Sequence, residues 1–466
     1  MERRAWAAVT VLTGAVIGLL ANLFFVGRMV GISLPLFAGL VTLAVLALAR
    51  PAGFRPRPRN LWPLLPLLFF ATMIAVRDDP LITLLNLLAV LALGGLVLHY
   101  LPLARPLDED ALPDQTAYVL DAGFLILPHA LYQAADAWGW LRERRYRRGG
   151  QVAAVARGLV FALPVLLLFG FLLGSADAVF ASYVNQTLDG LVKLFGVDFS
   201  ALSVTRLAFT GFMGALGTGA IGYAWARRER QLRPAGSDTA EPRTDDDLNE
   251  KRKPIFKLGM IEAGIVLGGV VALFGLFVLV QFAYFFGGQA NIIGGGFTYA
   301  EYARRGFFEL VAVSVLTLGL ALGLDHVTVR QPGREVALFR GLALAMTALV
   351  GVMLVSASRR MLLYEEAYGF TQLRVYTHVF MHWLAVLFGV FVLALFRVRK
   401  NVFSLGTLLV IIGYLATLNL LNVDAYIAER NIARYREGRD LDIAFLHILS
   451  ADAVPAILPL YRSSEN

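Results

Sequence analysis

The sequence predicts an all-α protein, a polytopic transmembrane helix bundle of about 11 spans with a small C-terminal helical tail. Three observations support this fold class. The composition is 58% hydrophobic and only 16% charged, whereas a typical soluble domain has about 25% charged residues. Uncharged apolar runs of about 20 residues recur along the chain, and each is long enough to cross a bilayer core. Short basic clusters separate these runs, as cytoplasmic loops require.

Composition also excludes several classes of function. The formal net charge of +8 does not indicate nucleic-acid binding, because the basic residues lie in short clusters between apolar runs. The chain has no cysteine, which excludes disulfides, thiolate metal sites and a cysteine nucleophile. It contains no Walker-type loop, GxSxG elbow, zincin motif or kinase motif. We therefore predict no cofactor, and we expect the lipid bilayer as partner, together with an envelope protein or a second copy of the chain.

The first apolar run, Ala5 to Gly27, predicts an uncleaved span. It is longer than the apolar core of a signal peptide, and Arg28 rather than a small-residue cleavage site follows it. The third run carries Pro63 and Pro66, which are tolerated early in a helix because their missing N–H has no partner there. The predicted spans are 5–27, 29–49, 61–76, 80–101, 152–174, 201–225, 258–285, 306–324, 337–356, 375–396 and 402–421.

Lysine and arginine predict the orientation in a bacterial inner membrane. With the N-terminus in the cytoplasm, the loops richest in basic residues all lie inside: 50–59, 142–148, 227–257 and 397–400. Eleven spans then place the C-terminal tail outside. One segment, 116–140, threatens this count. It is apolar in parts but carries four polar side chains, Asp121, His129, Gln133 and Asp136. We interpret it as an amphipathic or re-entrant cytoplasmic element, and the alternative is 12 spans with an internal tail.

These elements predict six regions. The loop at 227–257 is polar, with mixed charge and several helix breakers, which is typical of a disordered linker. Among the spans, small residues at helical spacing, such as Gly211, Ala215 and Gly219, predict close helix packing. The regions are a four-span segment (1–115), the amphipathic or re-entrant element with its basic loop (116–151), two spans (152–226), the disordered cytoplasmic loop (227–257), five spans (258–421) and the external helical tail (422–466).

Two histidines are the weak candidates for a metal site. His378 and His382 stand four residues apart, so on a helix they share one face. Glu309, Glu365 or Glu366 could supply oxygen ligands to the same ion. No HExxH or carboxylate-x-x-His pattern accompanies them, and a structural or interfacial role for both histidines is the alternative.

Carboxylates near the ends of the spans are the other candidates, because a charge in a span is costly unless it is paired or functional. Glu309, Glu365 and Glu366 predict either an acid/base group or ion pairs with nearby arginines, Arg304, Arg359 and Arg360. Glu262, near the cytoplasmic start of the seventh span, is an intramembrane charge that predicts a proton or cation site or a snorkelling carboxylate. No residue is predicted as catalytic or cofactor-binding.

The tail after the last span predicts three short helices. Residues 423–436 have helical periodicity, with Asp424 as the N-cap and Gly438 as the stop. Residues 441–449 predict a second helix, and a third follows Ser450 or Asp452 with a proline in its first turn. About 40 residues are too few to hold a core alone. We therefore expect the tail to dock on the external polar layer, and the alternative is an interfacial tail in the headgroups.

Five ordered segments carry a family resemblance: YAEYARRGFFEL, R-x-x-LYE-x-x-YG-x-T-x-x-R, N-x-D-x-x-IA-x-x-NI-x-RY, LD and LSADAVP. Together they resemble an uncharacterised bacterial multi-pass membrane family, domain of unknown function 4173, which is related to domain of unknown function 4153. The resemblance runs from GSADAVF onward and brings no activity with it. It singles out positions that the predicted topology places on the external side: Asp177, Arg305, Glu309, Arg360, Tyr364, Glu365, Arg374, Asn431, Arg434, Tyr435, Asp442 and Asp452.

Three functions remain open at this point. The absence of catalytic motifs favours a non-enzymatic sensor, scaffold or accessory subunit of an envelope complex, with the external polar layer as its binding surface. Glu262 and the glycine-lined spans favour a transporter or permease component. The carboxylates and the histidine pair favour a membrane-embedded enzyme that acts on envelope or lipid-linked substrates.

Overall fold

The computed structural model describes residues 3–28, 31–49, 56–103, 106–145, 204–232, 258–286, 307–396 and 401–464. These residues form α-helices joined by turns and three short 3₁₀ segments, and the only β-type pairing among them is an isolated bridge between Leu258 and Thr328. The helices are α1 (Arg3–Phe25), α2 (Ser33–Ala49), α3 (Leu64–Val76), α4 (Pro80–Tyr100), α5 (Leu112–Arg145), α6 (Val204–Leu232), α7 (Met260–Phe286), α8 (Phe307–Val327), α9 (Arg334–Tyr368), α10 (Gln372–Phe396), α11 (Val402–Leu421), α12 (Val423–Arg436), α13 (Ile443–His447) and α14 (Val454–Ser464).

Within the described residues, 9 helices are long and apolar enough to cross a membrane, and α2 is a shorter apolar helix. They correspond to ten of the predicted spans, and the remaining one, 152–174, lies outside the described residues. The predicted fold class is therefore confirmed, and the protein is a multi-pass membrane protein with an all-α bundle.

The segment predicted as an amphipathic or re-entrant element forms one continuous helix, α5, of 34 residues. At 1.5 Å per residue it is about 51 Å long. It is not among the helices apolar enough to count as spans. Its polar side chains contact neighbouring helices: Gln133 lies 3.2 Å from the Thr10 hydroxyl of α1, and Asp121 pairs with Arg227 of α6 at 3.2 Å. A continuous helix fits either an amphipathic element or a twelfth span, so whether it crosses the membrane stays a prediction.

The described residues belong to two compact units, one of which comprises residues 1–76 and 84–234. In this unit α1 and α6 pack closely because glycines leave room for the opposing backbone. A Cβ atom added at Gly14 would overlap Thr218, and one added at Gly219 would overlap the Ile126 carbonyl of α5. This agrees with the close packing predicted for the α6 glycines. On α7, by contrast, Gly268 has no heavy atom within 4 Å among the described residues.

The second unit comprises residues 77–83 and 235–466. Short connections make α8 to α11 run alternately up and down, and the bridge between Leu258 and Thr328 sets the start of α7 beside the end of α8. One end of this bundle, which we call the tail end, is where α9 and α11 finish and α8 and α10 begin. The bundle core consists of large apolar side chains such as Leu267, Phe339, Met346, Val350 and Phe388.

The C-terminal tail packs on the tail end of this unit through an apolar cluster formed by Ile82, Val375, Leu418, Val423 and Ile427. A smaller cluster lies within the tail itself, built on Ala428, Leu446 and Ala453. The tail is therefore not a separate module within the described chain, because its apolar residues complete a core that the helix bundle begins.

The helix boundaries of the tail differ in part from those predicted. The N-cap position of α12 is Asn422, which has a left-handed backbone with φ 52°, so the prediction of Asp424 as N-cap was wrong. Asp424 lies in the first turn, where its carboxylate is free to make tertiary hydrogen bonds. The predicted stop is correct, because Gly438 has φ 88° just after the helix end. The second helix is shorter than predicted, and Asp442 caps it by accepting from Phe445 N at 2.9 Å.

Candidate functional site

The turn between α9 and α10 forms the first part of the site. Gly369 ends α9 with φ 81°, a conformation that glycine adopts readily. From α12, the Asn431 side chain accepts from Phe370 N at 2.8 Å and donates to Phe370 O at 3.0 Å. Asn431 is 9% exposed, so this paired contact is sheltered from water. The Asn431 amide thus fixes the tail to the turn, because it bonds both the N–H and the carbonyl of Phe370.

Arg434, one turn further along α12, caps the end of α9. Its guanidinium donates to the Glu366 carbonyl at 2.9 and 3.2 Å and to the Ala367 carbonyl at 3.1 Å. The last carbonyls of a helix have no partner within the helix and carry partial negative charge. Burial, and then the nearby Arg439 and Arg374 guanidinium groups, lower the pKa of Arg434, but an arginine remains cationic at neutral pH. Arg434 therefore supplies hydrogen-bond donors and a positive charge to the carbonyl groups at the C-terminal end of α9.

Asp424 is the centre of the second part of the site and is only 1% exposed. One carboxylate oxygen accepts from the Ser450 N–H at 2.8 Å, and the other accepts from the Gln372 amide at 2.7 Å. The same amide nitrogen lies 3.4 Å from Asp79, which also accepts from the Tyr376 hydroxyl at 3.0 Å. Two buried carboxylates, on residues far apart in sequence, thus share one side-chain amide.

Residues 77–79 complete this network. The Asp452 carboxylate accepts from the Asp78 N–H at 3.0 Å, and in return Asp78 accepts from the Ala451 N–H at 3.2 Å. Arg77 donates to the Asn419 carbonyl at 2.8 Å and lies 4.0 Å from Asp452. We call the whole assembly the tail-docking layer: residues 77–79, the turn 366–372 with Tyr376, and Asp424, Asn431, Arg434 and residues 450–452 of the tail.

A separate polar chain lies between α9 and α10. Glu365 is 1% exposed, and its carboxylate lies 3.1 Å from Nδ1 of His378. Nε2 of the same imidazole lies 3.2 Å from the Ser358 hydroxyl. In the tautomer with the proton on Nδ1, the ring donates to Glu365 and accepts from Ser358. This is the order of groups that activates a serine nucleophile: hydroxyl, imidazole base and orienting carboxylate.

Comparison with protein families adds one finding to this geometry. Residues 64–460, well over half of the chain, match the family described as Domain of unknown function (DUF4153). The chain belongs to this family. The match begins earlier than the resemblance at GSADAVF, so the DUF4153 region includes α3, α4 and residues 77–79. Searches among curated proteins and among solved structures find no match. A relation of this DUF4153 protein to family 4173 and a bacterial origin stay predictions.

Several positions singled out from sequence lie in or beside the tail-docking layer. Asn431, Arg434 and Asp452 belong to it, and Arg374 donates to the Gly369 carbonyl while its guanidinium lies 4.0 Å above the Tyr364 ring. Glu365 is buried in the polar chain with His378 and Ser358. Asp442 caps α13, Tyr435 is 49% exposed, and Arg360 is half-buried on α9. Asp177 and Arg305 lie outside the described residues, and Glu309 lies in the first turn of α8.

The histidine pair is stacked, with ring centroids 5.2 Å apart. Both nitrogens of His378 have partners, and Nδ1 of His382 bonds the His378 carbonyl at 2.8 Å. Within the described part of the chain, no group of three or more His, Asp or Glu side chains is placed to hold a metal ion. These three imidazole nitrogens are thus engaged in hydrogen bonds, and a metal site at the histidine pair stays a prediction.

Glu262 lies in the first turn of α7 and is exposed. A carboxylate in that turn is stabilised by the positive end of the helix dipole. This placement gives Glu262 a favourable position at a helix start, and its role as a proton or cation site stays a prediction.

Sequence reasoning missed the residues that hold the layer together, Asp79, Gln372 and Tyr376. A signal for Asp79 was present, because an aspartate directly before Pro80 is typical of a helix N-terminus, and Asp79 accepts from Ile82 N at 2.8 Å. Gln372 and Tyr376 gave no signal, because an uncharged polar side chain in the first turns of a span is common.

Proposed function

We propose that this DUF4153 protein is a non-enzymatic sensor, scaffold or accessory subunit of a bacterial envelope complex, and that its docked tail is the binding surface. One observation carries the proposal. The tail is fixed to the bundle by buried polar groups on its inner side and exposes large apolar side chains on its outer side. A fixed platform with unburied apolar residues is suited to recognition.

The inner side supports rigidity. Asp424, 1% exposed, and Asn431, 9% exposed, hold backbone and amide groups of other segments. Breaking such a contact leaves a buried group without a partner, at a cost of about 1–3 kcal/mol for each group. A tail held by several such contacts keeps one position, so a partner binds it without first ordering it.

The outer side supports a protein partner. The exposed apolar side chains are Ile443 (63%), Ile448 (74%), Val454 (54%), Leu458 (41%) and Tyr461 (61%). Helices that lie in headgroups are rich in lysine and arginine on their polar face. The exposed segment 436–442 has two arginines but three acidic residues. Since anionic lipids repel acidic residues, this composition favours a protein partner over the membrane surface.

The orientation belongs to the same proposal. The distribution of basic residues supports a cytoplasmic N-terminus, an inner-membrane location and a tail on the external side. In that orientation the tail faces the proteins of the envelope.

Photo-crosslinking from the tail tests this proposal. We expect a photoreactive phenylalanine analogue at Ile448 to give a discrete protein adduct in intact cells of the source organism. The same analogue at Glu429, an exposed position on α12, is the matched control and should give much less adduct. Adducts to lipid alone from Ile448 would overturn the proposal in favour of a tail lying in the headgroups.

The polar chain Ser358–His378–Glu365 favours a second candidate, a membrane-embedded hydrolase or acyltransferase. Its two distances, 3.2 and 3.1 Å, lie within the range for an activated nucleophile. Ser358 follows the predicted span 337–356, so its hydroxyl is near the depth of lipid ester groups. In such a step the serine oxygen would form a bond to an ester carbonyl carbon, His378 would take the hydroxyl proton and deliver it to the departing alcohol, and water would release the acid.

This second candidate predicts covalent labelling of Ser358 by a fluorophosphonate probe. Labelling should be lost in Ser358→Ala and at least tenfold slower in His378→Gln, because the base is then missing. Ser356→Ala, on the same helix, should label like the wild type. Absence of labelling in folded wild-type protein would sink the enzymatic candidate and leave the binding proposal standing.

A further inference from the structure

We propose that a pocket at the end of the bundle opposite the tail binds a phosphate-type monoanion, as carried by an anionic phospholipid headgroup. The pocket lies among the end of α8, the start of α9, the end of α10 and the start of α11, all within one compact unit. Its volume is about 450 Å³, which is within the range of pockets that hold small ligands. The pocket shares no residue with the tail-docking layer.

A buried hydroxyl without a partner is the first argument. Thr328 lines the pocket and is 7% exposed, and its side-chain oxygen has no hydrogen-bond partner among the described residues. Its backbone is held firmly, because Thr328 N bonds Leu324 O at 3.0 Å and the neighbouring Val329 N bonds Leu258 O at 2.9 Å. Buried polar groups in proteins are almost always hydrogen-bonded. A rotation of the Thr328 side chain would turn this hydroxyl, which is buried in its present rotamer, toward a ligand oxygen in the pocket.

Among the described residues, the pocket also carries a positive charge that has no carboxylate partner. Two arginines line the pocket, and Arg330 is paired, with Asp325 at 2.7 Å and the Phe339 ring 4.1 Å from its guanidinium. Arg340 has no carboxylate within 4 Å in the described part of the chain, and its described contact is the Phe396 ring at 6.0 Å. Among the described lining residues, the charges of Arg330 and Asp325 cancel, so Arg340 leaves one net positive charge. A phosphodiester carries one negative charge.

The chemistry of a guanidinium selects the ligand class. Arginine binds phosphate oxygens through parallel N–H donors, and a threonine hydroxyl adds a third donor from another direction. The pocket lies at the ends of apolar helices, which is the depth of lipid headgroups. In sequence, basic residues also directly precede Leu258 and follow Phe396, a pattern that attracts anionic lipid.

Thermal unfolding of the full-length protein in neutral detergent tests the proposal, with three probes: short-chain phosphatidylglycerol, short-chain phosphatidylcholine and inorganic phosphate. We expect phosphatidylglycerol to raise Tm saturably and phosphatidylcholine to have little effect. Arg340→Gln should weaken the apparent affinity for phosphatidylglycerol by about tenfold. Thr328→Val should weaken it less, because it removes an uncharged donor of nearly the same shape. Arg334→Gln, an exposed arginine outside the pocket on the same helix, should leave the affinity unchanged.

The probes also separate the two sources of the anion. A saturable, Arg340-dependent shift with inorganic phosphate as large as that with phosphatidylglycerol would support the oxyanion site but assign it a soluble ligand. Equal shifts by phosphatidylglycerol in wild type and Arg340→Gln would overturn the proposal, and so would no shift by any probe in the wild type.

Discussion

Replacing Asp424 with leucine is expected to release the C-terminal tail from the bundle. The substitution leaves the Ser450 N–H without its acceptor in a site that is 1% exposed, and it leaves the Gln372 amide only the longer contact with Asp79 at 3.4 Å. Each buried group left without a partner costs about 1–3 kcal/mol. Asp79 stays satisfied, because it also accepts from Tyr376 and from Ile82 N. The loss therefore falls on a contact within the tail, through Ser450, and on the contact of the tail with the turn, through Gln372.

Tryptic cleavage in detergent measures this release, since the tail carries Arg434, Arg436 and Arg439. We expect cleavage at these sites to be at least tenfold faster in Asp424→Leu, because proteolysis follows the population of the open form. The matched control is Asp440→Leu, an exposed aspartate of the same tail, which should cleave at the wild-type rate. If Asp424→Leu and wild type were cleaved equally fast, Asp424 would not hold the tail.

Replacing Gly369 with alanine is expected to have the second large effect. The backbone of Gly369 has φ 81° and ψ 177°, a conformation that residues other than glycine rarely adopt. Forcing another residue into this conformation costs about 1–3 kcal/mol. An added Cβ would also lie 2.6 Å from the Arg434 guanidinium and 2.8 Å from the Asn431 amide oxygen. The new methyl group would therefore displace both side chains that bind the tail to the α9–α10 turn.

Gly369→Ala should lower the Tm, measured by intrinsic fluorescence. It should also make tryptic cleavage of the tail faster. Gly351→Ala on the same helix is a control of opposite sign. Gly351 is helical and has nothing within 4 Å among the described residues, so alanine should stabilise the helix by about 0.5–1 kcal/mol. A Tm for Gly369→Ala at or above that of the wild type would contradict the role of this glycine in the turn.

Most of the fold could be predicted because membrane spans obey a local rule. A run of about 20 apolar residues must form a helix in lipid, since every backbone polar group has to be satisfied within the segment. The helices at 5–25, 80–100 and 402–421 follow from that rule. The rule does not predict the position of the helix at 112–145, because this helix carries polar side chains that bond to α1 and α6. Periodicity could not show those partners, because they lie more than 100 residues away.

The candidate site was predicted only in part, for a related reason. Asn431, Arg434, Glu365 and Asp452 stood out because charged and amide groups beside apolar spans are costly. Their partners did not stand out, since the Phe370 backbone and the Glu366 carbonyl carry no side-chain signature. Asp424 was misassigned as a helix cap because the prediction considered only nearby residues. Its carboxylate instead accepts from the backbone of Ser450, 26 residues further on.

The sequence by itself determined that this chain is a multi-pass α-helical membrane protein with a tail too small to fold alone. Those properties depend on apolar length, periodicity and composition, which are local. Only the tertiary structure decided that Asp79 and Asp424 share the Gln372 amide, that Ser358, His378 and Glu365 line up, and that Arg340 and Thr328 line one pocket. Each of these depends on distances between helices, and helix packing in three dimensions sets those distances.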